Sequence, residues 1–218
     1  MQQNKPIQSP RESITKKILV IAGGALLTAA ALAVPFFYPT ETLWYKVGFA
    51  KILLQIGQFA GLLTLVFLVM QVLLALRPGF LTQGFSSGTL MRWHRRNGIA
   101  VAVLATSHVL LVLAPEGISN LPIGWEYWPE ALGAATLVLL LVTVLLSLFR
   151  SKLKLSFAGW RVLHRSLGYG LFLLLTLHVL FVSESFQSGL PRYGLIAVCI
   201  FVFATAVGLR VRLRRPST

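Results

Sequence analysis

Cysteine occurs once in this 218-residue chain, histidine four times, and the acidic residues number six, all glutamate. Each scarcity excludes something. A lone Cys199, set in the last apolar run, cannot form an intrachain disulfide or a cysteine metal site, and reads as a small packing residue. None of the six glutamates falls inside an apolar run, which argues against a proton pump or a carboxylate-driven transporter, since those need ionisable groups at membrane depth. Little chain is left between the apolar runs, so there is no room for a soluble catalytic domain.

What is present is apolar: 56% hydrophobic residues against 12% charged, with a mean hydropathy of +0.77. Such values belong to a membrane protein. Crossing a hydrocarbon core of about 30 Å takes roughly 20 apolar residues. Six runs come near or exceed that length, at 18–38, 47–76, 97–114, 131–149, 162–182 and 193–209. The expected fold is an all-α membrane protein, a six-transmembrane-helix bundle over 18–209, with a polar segment at 1–17 and a basic tail at 210–218.

A net charge of +14 invites a nucleic-acid reading, but the distribution decides otherwise. With the N-terminus inside, the inner segments hold Lys5, Arg11, Lys16, Lys17, Arg77, Arg92, Arg95, Arg96, Arg150, Lys152, Lys154, Arg161, Arg165, Arg210, Arg212, Arg214 and Arg215. The other side keeps only Lys46, Lys51 and Arg192, together with Glu41, Glu116, Glu126, Glu130 and Glu184. This positive-inside pattern records orientation. It predicts a multi-pass membrane protein with both termini cytoplasmic, touching lipid and no nucleic acid. Lys16 and Lys17 before a run ending Ala31-Leu32-Ala33 also describe a signal peptide; continuation through Val34-Pro35-Phe36-Phe37 favours a retained helix.

The four histidines form a repeat. His94-Arg95-Arg96-Asn97-Gly98 leads to His108, and His164-Arg165-Ser166-Leu167-Gly168 leads to His178, each second His fourteen residues after the first. On an α-helix that is about four turns, so each pair shares a face with roughly 21 Å between its members. The third and fifth spans run in the same direction, which puts His94 and His164 at the inner level and His108 and His178 at the outer level. A single membrane histidine is commonly a packing residue, but matched pairs on parallel spans are hard to assign to packing. Neutral imidazole ligates iron well, and a facing pair supplies both axial ligands of a haem. A four-ligand zinc site is excluded by the separation along each helix. The expectation is two haems between the third and fifth helices.

Neighbours fit that expectation. Gly98 and Gly168, one turn from the inner histidines, give a porphyrin face room to approach. Arg95, Arg96 and Arg165 have two readings, partners for haem propionates or ordinary positive-inside anchors. Val101 and Leu171, midway between the levels, form an apolar partition. Trp93 and Trp160 are expected in equivalent places at the inner interface, with Trp125, Tyr127 and Trp128 in an outer aromatic belt. Lys51, Gln55 and Gln58 share one helix side and either line an acceptor site or tie helices together. Residues 150–161 alternate basic and apolar positions, as a segment lying on the membrane surface does.

Paired His-x13-His spans in a six-helix domain resemble the ferric reductase-like transmembrane domain shared by NADPH oxidases, metalloreductases and the haem-binding subunit of the bacterial methionine sulfoxide reductase system. The resemblance spans most of the chain after the first run. It implies that His94 and His164 bind an inner haem b and His108 and His178 an outer one, and that electrons cross outward. Oxidases and ferric reductases continue into flavin- and nicotinamide-binding domains, whereas this sequence stops soon after its sixth run. The resemblance therefore implies an oxidoreductase component without its own flavin or NAD(P)H domain, supplied by a cytoplasmic flavoprotein or a membrane quinol, so that flavin or quinone enters through a partner. The oxidases' further histidine beyond the outer ligand corresponds to Val112, which speaks against a dedicated superoxide role. A periplasmic reductase, ferric chelates or oxygen all fit as acceptor. The rival class is a non-redox membrane protein, either a haem carrier or a structural subunit of a larger complex.

Overall fold

Membrane-spanning helices must satisfy their backbone internally, and every long element here is helical. A computed structural model describes residues 10–117 and 121–214, the side chains of 10–13 and 212–214 excepted. The helices are α1 (Pro10–Phe37), α2 (Gly48–Leu76), a single turn α3 (Gly79–Thr82), α4 (Ser87–Leu113), α5 (Trp128–Leu148), α6 (Phe157–Val182) and α7 (Gly189–Arg214). Among the described residues there is no strand. Six helices, all but α3, are long and apolar enough to cross a membrane, and the chain is a multi-pass helical protein. Lys5, Arg11, Arg212, Arg214 and Arg215, counted above for orientation, lie outside the described side chains.

Several helices outrun the apolar runs that announced them, because caps rather than hydropathy set their ends. α4 begins ten residues before the run at 97–114; Ser86 Oγ accepts from Thr89 N at 3.2 Å, an N-cap that carries the helix through the polar Trp93 to Asn97 stretch. Ser156 does the same for α6, accepting from Gly159 N at 3.1 Å. At the end of α2, Arg77 adopts a left-handed conformation (φ 50°) with its N–H on Leu73 O, and Pro78 prevents continuation. Residues 150–155 form a tight turn with Lys154 at φ 51°, where the alternating pattern had suggested a surface-lying segment.

Two antiparallel hairpins dominate the packing. α2 lies along α4, α5 lies along α6, and α1 packs on the outside of α2. α4 and α6 barely approach each other along their backbones, although both carry histidines. Between them sits the main buried cluster, in which Val101 is 1% exposed and Leu171 3%, joined by Ala105, Leu175, Leu65, Leu68 and Leu140. Lipid tails are as apolar as leucine, so this cluster is held by close packing rather than by exclusion of water. Outward positions such as Leu26, Val103, Val138 and Leu173 remain exposed, as a lipid-facing surface requires.

At the His108 end, loops from distant parts of the chain are fastened together. The Glu184 carboxylate accepts from Glu41 N at 2.5 Å and from Thr42 Oγ1. Ser185 Oγ donates to Tyr38 O at 2.7 Å, and Lys46 pairs with Glu116 at 2.7 Å.

Candidate histidine centre

The helix period puts His94 and His108 on one side of α4 and His164 and His178 on one side of α6. At the first level the two rings meet: the centres of His94 and His164 are 6.0 Å apart with planes at 79°. A metal held between two imidazoles by bonds of about 2 Å sets ring centres roughly 6 Å apart. That spacing, across two helices whose backbones barely touch, suits a ligand pair.

The Nδ1 atoms share one rule. His108 Nδ1 lies 2.8 Å from Gly57 O, His178 Nδ1 lies 3.1 Å from Pro129 O, and His94 Nδ1 lies 3.3 Å from Gln71 O. A carbonyl only accepts, so in each case Nδ1 carries the hydrogen. His164 Nδ1 lies 3.1 Å from Ser147 Oγ, whose own hydrogen goes to Thr143 O at 2.8 Å. That hydroxyl is left to accept, and His164 is also an Nδ1–H tautomer. All four partners come from the antiparallel neighbour, α2 for the α4 pair and α5 for the α6 pair. The result is four imidazoles in one tautomer with Nε2 as the unprotonated nitrogen, the arrangement that second-shell hydrogen bonds impose on metal-binding histidines.

Glycines let the second-level rings into these places. A Cβ on Gly61 would stand 2.9 Å from His108 Cε1, and one on Gly133 would stand 2.5 Å from His178 Cε1. At the first level, side chains rather than glycine seats surround the rings. Trp160 stacks on His164, ring centres 5.1 Å apart and planes at 21°. Its Nε1 is buried and has no hydrogen-bond partner among the described residues. Gln71 Nε2 lies 3.3 Å from His94 Nε2, while Gln71 Oε1 accepts from Asn97 Nδ2 at 2.7 Å. Asn97 Nδ2 also reaches Phe67 O at 2.8 Å.

The remaining residues singled out in the sequence divide as follows. Gly168 faces open space, with nothing within 4 Å of an added Cβ, whereas Gly98 is covered by Gln71 Nε2 at 3.0 Å. Arg95, Arg96 and Arg165 are exposed at the surface. Gln58 Nε2 donates to Thr40 Oγ1 at 2.9 Å, and Gln55 is exposed while Lys51 is half-buried. Val112 packs against Gly57. Trp93 and Trp160 are not equivalent: Trp93 turns onto Phe85 at 4.8 Å, because it precedes its histidine by one residue, while Trp160 precedes His164 by four, one full turn. Sequence reasoning missed Gly57, Gly61, Gln71, Pro129, Gly133 and Ser147. Only the Gly57-x3-Gly61 spacing, a small-residue pattern of close helix packing, offered a signal.

Among the described residues, no three of His, Cys, Asp or Glu converge as a metal cage. The fold and these paired rings define a helical membrane protein with a histidine centre between two hairpins. Residues 60–175 match the family described as ferric reductase like transmembrane component. This is more than half of the chain, which belongs to that family and is a membrane electron-transfer component of its type. The matched stretch holds His94, His108 and His164 and ends three residues before His178. No curated protein and no solved structure matches the chain.

Proposed function

We propose that this chain is a di-haem b-type transmembrane cytochrome, carrying electrons from a cytoplasmic flavoprotein or a membrane quinol outward to an extracytoplasmic acceptor. The carrying observation is that all four imidazoles keep Nδ1–H on a neighbouring helix and Nε2 unprotonated, with His94 and His164 facing each other across α4 and α6 at 6.0 Å. His94 and His164 hold one haem, His108 and His178 the other. Each haem, when bound, supplies an iron that alternates between ferric and ferrous and so stores one electron. The polypeptide's share is positional. Gly57 O, Pro129 O, Gln71 O and Ser147 Oγ fix the rings, and Gly61 and Gly133 let two of them seat deeply. Val101 and Leu171 fill the space between the levels and keep water from it.

On this reading the His94 end faces the cytoplasm, an orientation the positive-inside pattern supports, and electrons run outward from it across a bacterial inner membrane. The basic residues there, Arg95, Arg96, Arg150, Lys152 and Arg165 among them, attract an acidic flavoprotein by electrostatic steering. The acceptor is a periplasmic reductase or a small oxidant reaching the His108 end. The test is a dithionite-reduced minus oxidised spectrum of purified wild type and His108→Ala, with haem counted per chain. Low-spin b-type bands at two haems, falling to one in the variant, are expected. A folded protein without haem overturns the reading and leaves a structural subunit in its place.

A further inference from the structure

The two histidine levels differ at one nitrogen. At His94, the nitrogen left unprotonated by the Nδ1 bond to Gln71 O faces the Gln71 side-chain amide at 3.3 Å. The same amide covers Gly98, 3.0 Å from where a Cβ would stand. One side chain thus fills the face of α4 beside His94 and occupies the ligand atom, while the opposing glycine, Gly168 on α6, looks into open space. Asn97 holds it there. Its Nδ2 is anchored on the α2 backbone through Phe67 O and grips Gln71 Oε1, so the Gln71 amide presents its N–H to His94. Among the described residues no side-chain amide hydrogen-bonds to His108 or His178, whose bonds run to backbone carbonyls through Nδ1.

From this we infer that Gln71 is a displaceable plug on the inner site, held by Asn97, which makes haem loading ordered: the His108 and His178 level fills first and the His94 and His164 level second. The inference rests on the di-haem reading. Loading the inner level breaks the Gln71 hydrogen bond to His94 Nε2 and turns the amide off Gly98. The backbone carbonyl of Gln71 stays on Nδ1, so the tautomer is kept while the ligand atom is released. Gln71 is a positioning residue in this scheme, acting through His94. Its cost is that of one or two neutral hydrogen bonds, about tenfold in affinity at the inner level.

The experiment is a stepwise titration of the full-length protein, prepared haem-free, with haemin, following the low-spin Soret band. Wild type is expected to take one equivalent tightly and a second about tenfold more weakly. In His94→Ala the second step disappears and the first is unchanged. In Gln71→Ala the two steps close to within about threefold, because the plug is gone and the backbone acceptor remains. Should Gln71→Ala fail to fold, Asn97→Ala loosens the same amide and narrows the gap by about threefold. Equal steps in wild type, or a gap untouched in the variant, overturn the plug while leaving two haem sites standing. A folded protein that takes up no haemin at either step overturns the di-haem reading itself.

Discussion

At the His108 and His178 level both rings are bonded to main-chain carbonyls, whereas the His94 and His164 level combines one main-chain carbonyl, Gln71 O, with a shell of side chains. At the former, rings are seated against Gly61 and Gly133 and bonded to main-chain carbonyls of α2 and α5. At the latter, Gln71, Asn97, Ser147 and Trp160 surround the rings. A carbonyl within a packed helix cannot be moved by substituting its own residue, and a glycine seat admits no larger group without displacing the ring. A shell of side chains can be retuned one residue at a time. One level is therefore fixed by the fold, and the other is adjustable.

Substitutions at the two levels should consequently differ in size. Gly133→Ala is expected to have the largest effect, since its new methyl meets His178 at 2.5 Å and the ring or α5 has to give. Overpacking of this kind costs about 1–3 kcal/mol, read as a lowered thermal midpoint in detergent together with loss of the haem proposed at that level. Gly61→Ala, at 2.9 Å from His108, should do the same to a smaller degree. Ser147→Ala removes one side-chain hydrogen bond to His164, worth about 0.6 kcal/mol inside a bundle. It should leave the melting midpoint nearly unchanged while altering the spectrum of the haem proposed at that level, because His164 loses the acceptor that fixes its tautomer. Gly168→Ala is expected to be silent in stability, its Cβ meeting nothing within 4 Å. If Ser147→Ala destabilises more than Gly133→Ala, the contrast between a fixed and an adjustable level is wrong.

Much of this architecture was readable from residue order. The apolar run at 47–76 differs from α2 (Gly48–Leu76) by one residue, because Pro78 ends it and no polar stretch interrupts it. The apolar runs at 97–114 and 162–182 start well inside α4 and α6 because Ser86 and Ser156 cap these helices ahead of Arg92, Arg95 and Arg96 in one and Arg161 in the other, and hydropathy cannot see a cap. The histidines and their levels were legible because a 14-residue spacing is a property of one helix. Their partners were not. Gly57 is 51 residues from His108 and Pro129 is 49 from His178, and nothing in the local pattern says which carbonyl an imidazole will meet. The Gln71 contact on Gly98 was hidden for the same reason: the glycine suggested room, and a side chain from another helix took it.

The Glu184 fastening bears on the order in which the chain can be finished. Its partners, Glu41 and Thr42, precede it by 143 and 142 residues. As the chain emerges, the loop after the first span must wait until five spans have been laid down before it meets the carboxylate that secures it. Until then that loop's amide and hydroxyl, both exposed, have only solvent for partners. Contacts of such long sequence separation form late and slowly. The clasp thus works as a completion mark: it can be made only on a chain whose two hairpins are already side by side.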